Sequence, residues 1–197
     1  DTHAKGRPAD QLHDWAAQRA PALGIPATAL EAYAYAARVA EVENPDCHIA
    51  WTTLAGIGQV ESHHGTYRGA IIAPDGDVTP PIRGVRLDGT NGNLEIIDND
   101  GGDDGDPEFA RAMGPMQFIP STWGSWGADG DGDGVKDPDN IFDAALGTAR
   151  YLCAGDRDVS RGADLDRAIL SYNNSRAYVN AVRKWMDTYR GSEVAQT

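Results

Sequence analysis

Apolar side chains recur every three or four positions through much of this 197-residue chain, which is the spacing of a buried helix face. The clearest example is 48–62, where this pattern predicts a helix that ends before Gly65. Thr28 and Glu31 match a capping box, in which each side chain bonds an unpaired backbone N–H at a helix start. Six further helices are predicted in the same way, at 10–20, 28–43, 120–126, 140–152, 164–172 and 175–189.

Residues 66–108 have no helical period and contain many glycines and prolines. Two short apolar stretches, 85–87 and 94–97, flank Asp88-Gly89, so we expect a small hairpin there. Long irregular stretches in compact proteins usually form cleft walls or lids. The sequence therefore predicts a mostly α fold, in which a helical domain carries one inserted hairpin or loop lobe.

The chain length suits one domain with a single hydrophobic core. We place that domain at 10–190, between a polar N-terminal tail at 1–9 and a C-terminal tail at 191–197. No apolar run approaches the roughly 20 residues of a membrane-spanning helix, and the first residues do not resemble an export signal. We therefore expect no transmembrane segment in this chain, and we expect it to act as a monomer.

The formal net charge of −13 is concentrated in two segments. Residues 98–108 carry six acidic side chains and no basic one, while 129–139 carry five aspartates and a single lysine. The rest of the chain is nearly neutral and has no basic stripe, which excludes nucleic acid as an expected partner. Acidity confined to two loops favours cation binding over a generally acidic surface.

The segment from Asp129 to Asn140 has oxygen-bearing side chains at alternate positions and Gly134 at the sixth position, as in an EF-hand calcium loop. We expect bound calcium with a structural role, and six ligands are predicted: Asp129, Asp131, Asp133, Val135 through its carbonyl, Asp137 and Asn140. The sequence departs from the EF-hand pattern because the twelfth position holds Asn140 rather than glutamate. A second cation site at 98–106 is the weaker hypothesis, and an exposed turn is the alternative.

The chain has two cysteines, Cys47 and Cys153, and each lies beside an apolar helical stretch. They are either two buried thiols or one long-range disulfide. We favour the disulfide, which requires an oxidising compartment and would link the helix at 48–62 to a later helix.

Glu61 lies at the end of a predicted helix, just before a glycine that stops it. A helix C-terminus disfavours negative charge, and an apolar pocket raises a carboxyl pKa further. Such a group can deliver a proton to a glycosidic oxygen near neutral pH. From its position alone, a solvated surface glutamate remains the simpler interpretation.

Three segments, in this order along the chain, favour a catalytic glutamate over a surface one: Glu61-Ser62-His63-His64-Gly65, 114–123 with Met116-Gln117-Phe118, and Ser171-Tyr172-Asn173. Together they resemble the lytic murein transglycosylases, and most closely the membrane-bound lytic transglycosylase B type of actinobacteria. The resemblance covers about 47–180. It implies a lysozyme-like α+β catalytic domain that cleaves peptidoglycan glycan strands between N-acetylmuramic acid and N-acetylglucosamine. Calcium loops after the Gln-Phe segment also occur in these relatives.

Under this resemblance Glu61 is first the acid and then the base, and the muramyl C6 hydroxyl attacks its own C1 to give a 1,6-anhydro product. Ser62 would orient Glu61, Gln117 and Tyr172 would line sugar subsites, and Asn173 would support the site. The predicted substrate-binding set is Ser62, Met116, Gln117, Tyr172 and Asn173, with core burial the alternative for Met116. A wall-degrading enzyme with a disulfide is expected outside the cytoplasm.

Two other functions remain open at this stage. A muramidase that uses water usually needs a second carboxylate beside the bond, and no aspartate or glutamate of the irregular lobe has a distinctive setting. A non-catalytic, calcium-stabilised wall-binding module has no need for a glutamate in the setting of Glu61.

Overall fold

A computed structural model describes residues 1–2, 5–98 and 104–194. Over these residues the chain forms seven α-helices: α1 (His13–Leu23), α2 (Ala27–Glu43), α3 (Trp51–Ser62), α4 (Pro120–Trp126), α5 (Ile141–Leu152), α6 (Gly162–Tyr172) and α7 (Arg176–Val194). Short 3-10 turns occur at Pro8–Leu12, Pro45–Cys47, Tyr67–Gly69 and Thr90–Gly92. The predicted mostly α fold is confirmed.

The core lies where α2 packs along α5 and α3 packs along α7. Two glycines of α3 allow these helices to approach closely. A Cβ on Gly56 would lie 2.9 Å from the Val182 carbonyl oxygen of α7, and a Cβ on Gly58 would lie 2.1 Å from the Tyr33 hydroxyl of α2. Because no other side chain fits at these two positions, the helix that carries Glu61 is held tightly between its neighbours.

The start of α2 differs from the prediction. The helix begins at Ala27 after an extended Pro26, so Thr28 is already inside the helix and no side chain caps its N-terminus. The predicted capping box is therefore wrong. Glu31 is instead buried and accepts a contact from His13 Nδ1 at 3.1 Å, with Arg7 3.8 Å away.

Both predicted tails are partly structured. Ala9 is buried, and Arg7 donates to the Pro74 carbonyl at 2.7 Å while its guanidinium lies 4.4 Å from the Phe142 ring centroid. These contacts attach residues before position 10 to the domain. At the other end α7 continues through Gly191 to Val194, so the first residues of the predicted C-terminal tail are helical.

The inserted lobe contains one small antiparallel sheet, β1 (Ile71–Ile72) with β2 (Val78–Thr79), in which Ile71 pairs with Thr79. The hairpin predicted at 85–97 is reduced to a single bridge between Asp88 and Glu95. The reason is a third segment that sequence patterning missed. Ala110 donates to the Ile96 carbonyl and accepts from the Leu87 N–H, so the two stretches pair with it as well as with each other.

Cys47 and Cys153 form the predicted disulfide, with their Cα atoms 5.5 Å apart and a sequence separation of 106. The bond joins the turn after α2 to the end of α5. Asn44 reinforces this junction, because its side chain donates to the Cys153 carbonyl at 3.2 Å. Separately, none of the helices described here has the length and apolar character needed to cross a membrane.

Candidate active site

Glu61 is the next-to-last residue of α3, and the chain reverses sharply after it. His63 closes the helix in a left-handed conformation and His64 and Gly65 continue in the same region of φ. The Ser62 hydroxyl fixes this reversal, because it donates to the Pro115 carbonyl at 2.5 Å and accepts from the Gly65 N–H at 2.7 Å. The turn therefore holds the end of α3 against the segment that carries Gln117.

These contacts correct the predicted role of Ser62. Its side chain is buried, 1% exposed, and its hydroxyl is occupied by two backbone groups. It therefore cannot contact substrate, and it positions Glu61 only through the backbone. The polar residue after the glutamate belongs to the turn rather than to the cleft.

The Glu61 carboxylate accepts a hydrogen bond of 2.5 Å from the Tyr178 hydroxyl. Burial raises the pKa of Glu61 from its ordinary 4.5 to about 7, and the Tyr178 hydrogen bond opposes that rise. Because desolvation is the larger effect, a substantial fraction of the carboxyl group is protonated at neutral pH. A buried acid with this pKa suits proton delivery.

Tyr178 was missed as a functional residue by the sequence analysis. It lies on α7, 8% exposed, next to Val179 and one turn before Val182. That apolar spacing predicts a core side chain, and only the packing of α7 along α3 reveals that its hydroxyl meets Glu61. No local sequence signal distinguishes it from an ordinary buried tyrosine.

Behind the α3 terminus, His64 lies buried between two tyrosines. Its Nδ1 is 3.1 Å from the Tyr33 hydroxyl and its Nε2 is 2.9 Å from the Tyr189 hydroxyl. Burial, with a smaller contribution from His63, lowers the pKa of His64 to about 3. The ring is therefore neutral, and it serves as a hydrogen-bonded support for the turn that follows Glu61.

Gln117 lies at the end of a tight turn that Met113 and Phe118 close by two backbone hydrogen bonds of 2.8 and 2.9 Å. Its φ is +52°, and its side-chain amide donates to the Gly114 carbonyl at 3.0 Å. The turn presses against the loop between α4 and α5, since a Cβ on Gly114 would lie 1.7 Å from the Pro138 carbonyl oxygen. Gln117 is partly exposed and lines a cleft, and its predicted contact with substrate stays a prediction.

Tyr172 lines the same cleft with its ring, together with Ile119, Thr122 and Tyr151. Its hydroxyl is engaged, because it donates to the Met116 carbonyl at 2.5 Å and lies 3.3 Å from the Thr148 hydroxyl. Burial and the nearby Glu61 charge raise the pKa of Tyr172. Its contribution to the cleft is therefore an aromatic wall, not a free hydroxyl.

The two remaining predicted substrate-binding residues lie in different environments. Met116 is fully buried, so its side chain belongs to the core and the prediction that it contacts substrate is wrong. The apolar run in which it occurs packs inward beneath the cleft. Asn173 is exposed at the C-terminus of α6, where its N–H bonds the Ile169 carbonyl.

The loop between α4 and α5 brings three carboxylates together: those of Asp129, Asp131 and Asp143, each with an oxygen within 4.8 Å of the others. Asp143 is 1% exposed and accepts from the backbone N–H groups of Gly130 and Asp137 at 2.6 and 2.7 Å. Burial, and to a smaller extent the Asp131 charge, raises the pKa of Asp143 to about 7. This set of hard oxygen donors fits a divalent cation such as calcium.

Asp143 was not among the predicted ligands, although an aspartate amid the buried residues of α5 is an unusual feature that could have identified it. The prediction for Asn140 is contradicted. Its side-chain oxygen caps α5 by accepting from the Phe142 N–H, and its amide donates to Asp131 Oδ2. Asn140, at the twelfth position of the loop, therefore caps α5, and the buried Asp143 carboxylate lies three residues further on.

The other predicted ligands lie along the same loop. Asp133 accepts from the Val135 N–H at 2.7 Å, and Asp137 accepts from the Asp139 N–H at 2.8 Å. Val135 is 58% exposed. Neither Asp133 nor Asp137 joins the three-carboxylate group in the described part of the chain, so their predicted ligand roles stay predictions.

Of the second acidic segment, 98–106, residues 99–103 lie outside the described part of the chain. Asp104 and Asp106 are buried, and both bond neighbouring groups of the lobe. Asp106 pairs with Arg86 at 2.7 Å, which lowers the pKa of Asp106 to about 2. Asp104 accepts the Arg111 N–H and the Asp106 N–H, so these two aspartates anchor the lobe.

Residues 32–166 match the family described as Transglycosylase SLT domain. The chain is also similar to SltB3 from Pseudomonas aeruginosa, solved in complex with NAG-anhNAM-pentapeptide, with 20% identity and a TM-score of 0.48. That match covers 93% of this chain and 63% of the SltB3 chain, so this chain spans just under two thirds of its relative. No curated protein sequence matches the chain. Because the family match covers more than half of its residues, the chain belongs to the transglycosylase SLT domain family, which confirms the predicted resemblance to lytic transglycosylases.

Proposed function

We propose that this protein is a lytic transglycosylase that cuts the glycan strands of peptidoglycan between N-acetylmuramic acid and N-acetylglucosamine. The observation that carries the proposal is Glu61, whose carboxyl pKa is raised to about 7 and whose charge acts on Tyr172, a residue that lines a cleft together with Gln117. A wall-binding module would gain nothing from burying a carboxyl group in this way, since burial of an acid costs stability.

In the first step the Glu61 carboxyl group donates its proton to the glycosidic oxygen as the bond from that oxygen to the muramyl C1 breaks. The C6 hydroxyl of the same muramyl residue then forms a bond to C1 and gives its proton to the Glu61 carboxylate. The products are a free 4-hydroxyl and a 1,6-anhydro sugar, and no water is consumed. The Tyr178 hydroxyl keeps its hydrogen bond to the carboxylate between the two steps.

The other carboxyl groups with a raised pKa lie away from the site of Glu61, which favours a mechanism with a single carboxylate. Among the described residues, the remaining carboxyl groups with a raised pKa are those of Glu31, Asp131, Asp137 and Asp143. Glu31 contacts His13 near the N-terminus, and the other three belong to the loop before α5 or to the start of that helix. None of these four lines the cleft of Gln117 and Tyr172, where a water-using muramidase would need a second carboxylate.

We also propose that Asp129, Asp131 and Asp143 hold a calcium ion, with the Asp133 carboxylate and the Val135 carbonyl as further candidates. Calcium would neutralise three carboxylates that otherwise repel each other, and its role would be structural. Its position between α4 and α5 supports the turn at Gly114, which packs against Pro138.

The substrate and the disulfide both favour action outside the cytoplasm, where peptidoglycan lies and thiols oxidise.

Digestion of purified peptidoglycan tests the proposal. We expect the wild-type protein to release muropeptides that carry a 1,6-anhydro end, one water lighter than hydrolysis products by mass spectrometry. Glu61→Gln keeps the shape of the side chain but has no acidic proton, and it should release none. Water-added products would indicate a muramidase instead, and no release from the wild type would favour the wall-binding module.

A further inference from the structure

A second cavity of about 340 Å³ lies beside the C-terminal ends of α2, α4 and α5. We call it the Trp126 pocket, and it is lined chiefly by Trp126, Glu43, Asn44, Arg150 and Cys153. None of these side chains takes part in the proposed reaction of Glu61 or in the carboxylate group of Asp129, Asp131 and Asp143.

A row of aromatic rings connects this pocket to the catalytic cleft. Tyr172 and Tyr151 both line the cleft, and their ring centroids are 5.7 Å apart. The next ring, Trp126, lies another 5.7 Å from Tyr151 and forms part of the pocket. All three rings are partly exposed, so one aromatic surface leads from the cleft to the pocket.

The polar groups of the pocket are held in fixed positions. Arg150 donates to both Glu43 oxygens, from Nε at 2.9 Å and from Nη2 at 2.6 Å. Asn44 donates to the Cys153 carbonyl at 3.2 Å, beside the disulfide. These bonds tie the end of α2 to the end of α5, so the pocket is formed before any ligand arrives.

The chemistry of the pocket suits a sugar ring. An exposed indole offers a flat apolar surface to the C–H face of a pyranose, and fixed donors and acceptors at its edge match hydroxyl and acetamido groups. Glu43 and Arg150 neutralise each other, and Asp156 adds one negative charge to the lining, so the pocket disfavours an anion and can accept an uncharged sugar. The aromatic row further favours a sugar that belongs to the strand already bound in the cleft.

We propose that the Trp126 pocket is a distal saccharide subsite, which binds a sugar residue of the same glycan strand several units away from the bond that is cut. This inference rests on the proposed function and adds that the enzyme prefers long strands. A strand that reaches both the cleft and the pocket gains affinity from two linked contacts, whereas a short oligosaccharide occupies the cleft alone.

Glycan strands of two lengths test the proposal: a tetrasaccharide, and a strand several times longer. We expect wild-type kcat/KM to be higher for the long strand. In Trp126→Leu the ratio of long-strand to short-strand kcat/KM should fall about tenfold, as expected for losing about 1.4 kcal/mol of contact. An unchanged ratio in this variant would overturn the proposal. Equal cleavage of both lengths by the wild type would overturn it too, and would leave the transglycosylase function intact.

Arg150→Gln is the second variant, because Trp126 also packs against the core and its loss can impair folding. Arg38→Gln is its matched control, since Arg38 pairs with Glu41 on the exposed side of α2, outside the pocket. Binding of uncleaved long strands to proteins that also carry Glu61→Gln separates affinity from catalysis. Relative to the protein with Glu61→Gln alone, we expect Arg150→Gln to weaken binding of the long strand and Arg38→Gln to leave it unchanged. Equal affinity in the two variants would refute the subsite even if peptidoglycan cleavage were never observed.

Discussion

Replacing Tyr178 with phenylalanine removes one hydroxyl group and leaves the ring that packs between α7 and α3. That hydroxyl donates to Glu61 Oε1 at 2.5 Å and lowers the pKa that burial raises. A hydrogen bond to a charged group contributes about 1.5–3 kcal/mol, and one pKa unit corresponds to about 1.4 kcal/mol. The pKa of Glu61 should therefore rise from about 7 by roughly one to two units in Tyr178→Phe.

The sign of the effect on activity follows from the role of Glu61 as an acid. Only the protonated form starts the reaction, so kcat/KM falls as pH rises through the pKa of Glu61 in the free enzyme. In Tyr178→Phe this alkaline limb should move to higher pH. The maximal rate should also fall, by about tenfold, because the carboxyl group loses a positioning contact worth about 1.4 kcal/mol.

The assay is the initial rate of soluble muropeptide release between mildly acidic and alkaline pH. Tyr189→Phe is the matched control, because it removes a hydroxyl of the same helix that bonds His64 rather than Glu61. Its alkaline limb should stay in place. A limb that stays in place in Tyr178→Phe, or that moves to lower pH, would refute the assignment of Glu61 as the titrating acid held by this tyrosine.

Four further predictions concern stability. Gly114→Ala should destabilise the fold by about 3 kcal/mol or more in urea unfolding, because its Cβ would overlap the Pro138 carbonyl and its φ is +73°. The folded-state pKa of Glu61 lies above its ordinary 4.5, so wild-type stability falls as pH rises through 4.5 to about 7, and Glu61→Gln should be more stable than wild type by up to about 3 kcal/mol at pH near 8 but not near 4. Replacing Cys47 and Cys153 together by serine should cost about 4 kcal/mol, measured by the same urea titration, because the bond closes a long loop. Calcium added to chelator-treated protein should raise the melting temperature, with a gain of about 2.7 kcal/mol at a hundredfold excess over Kd, and an unchanged melting temperature would contradict the calcium proposal.

Sequence patterning predicted the helices because each buries one apolar stripe, and the stripes at 48–62 and 140–152 match α3 and α5 closely. Element ends were less predictable. Thr28 has the residue type of a helix cap but lies inside α2, where the preceding Pro26 has already set the helix direction. The local sequence could not predict this start of α2, because Glu31 contacts His13, which lies on another helix, and not the N-terminus of its own helix.

The residues of the candidate site also differ in how far the local sequence identifies them. Short local motifs drew attention to Glu61 and Gln117, which the structure places at a helix end with a raised pKa and in the lining of a cleft. Motifs did not identify Tyr178 or Asp143, because each lies among the buried residues of a helix, and their neighbours Glu61 and the Asp129/Asp131 pair are found only once the chain is folded. For Ser62 and Met116 the predicted contact with substrate was wrong for the opposite reason. They belong to motifs that suggest function, yet the backbone around the cleft uses both for packing.

The disulfide between Cys47 and Cys153 also governs what a protease can do to this protein. The most exposed apolar side chains of the lobe, Leu94 and Ile71, lie inside the loop that the bond closes. A single cut there separates the chain into a fragment with Glu61 and a fragment with Gln117, yet the two stay covalently joined. Nicked molecules should therefore run as intact protein on a gel without reductant and fall apart only when it is added. In a protease-rich compartment, such a break would be damage that the fold can tolerate.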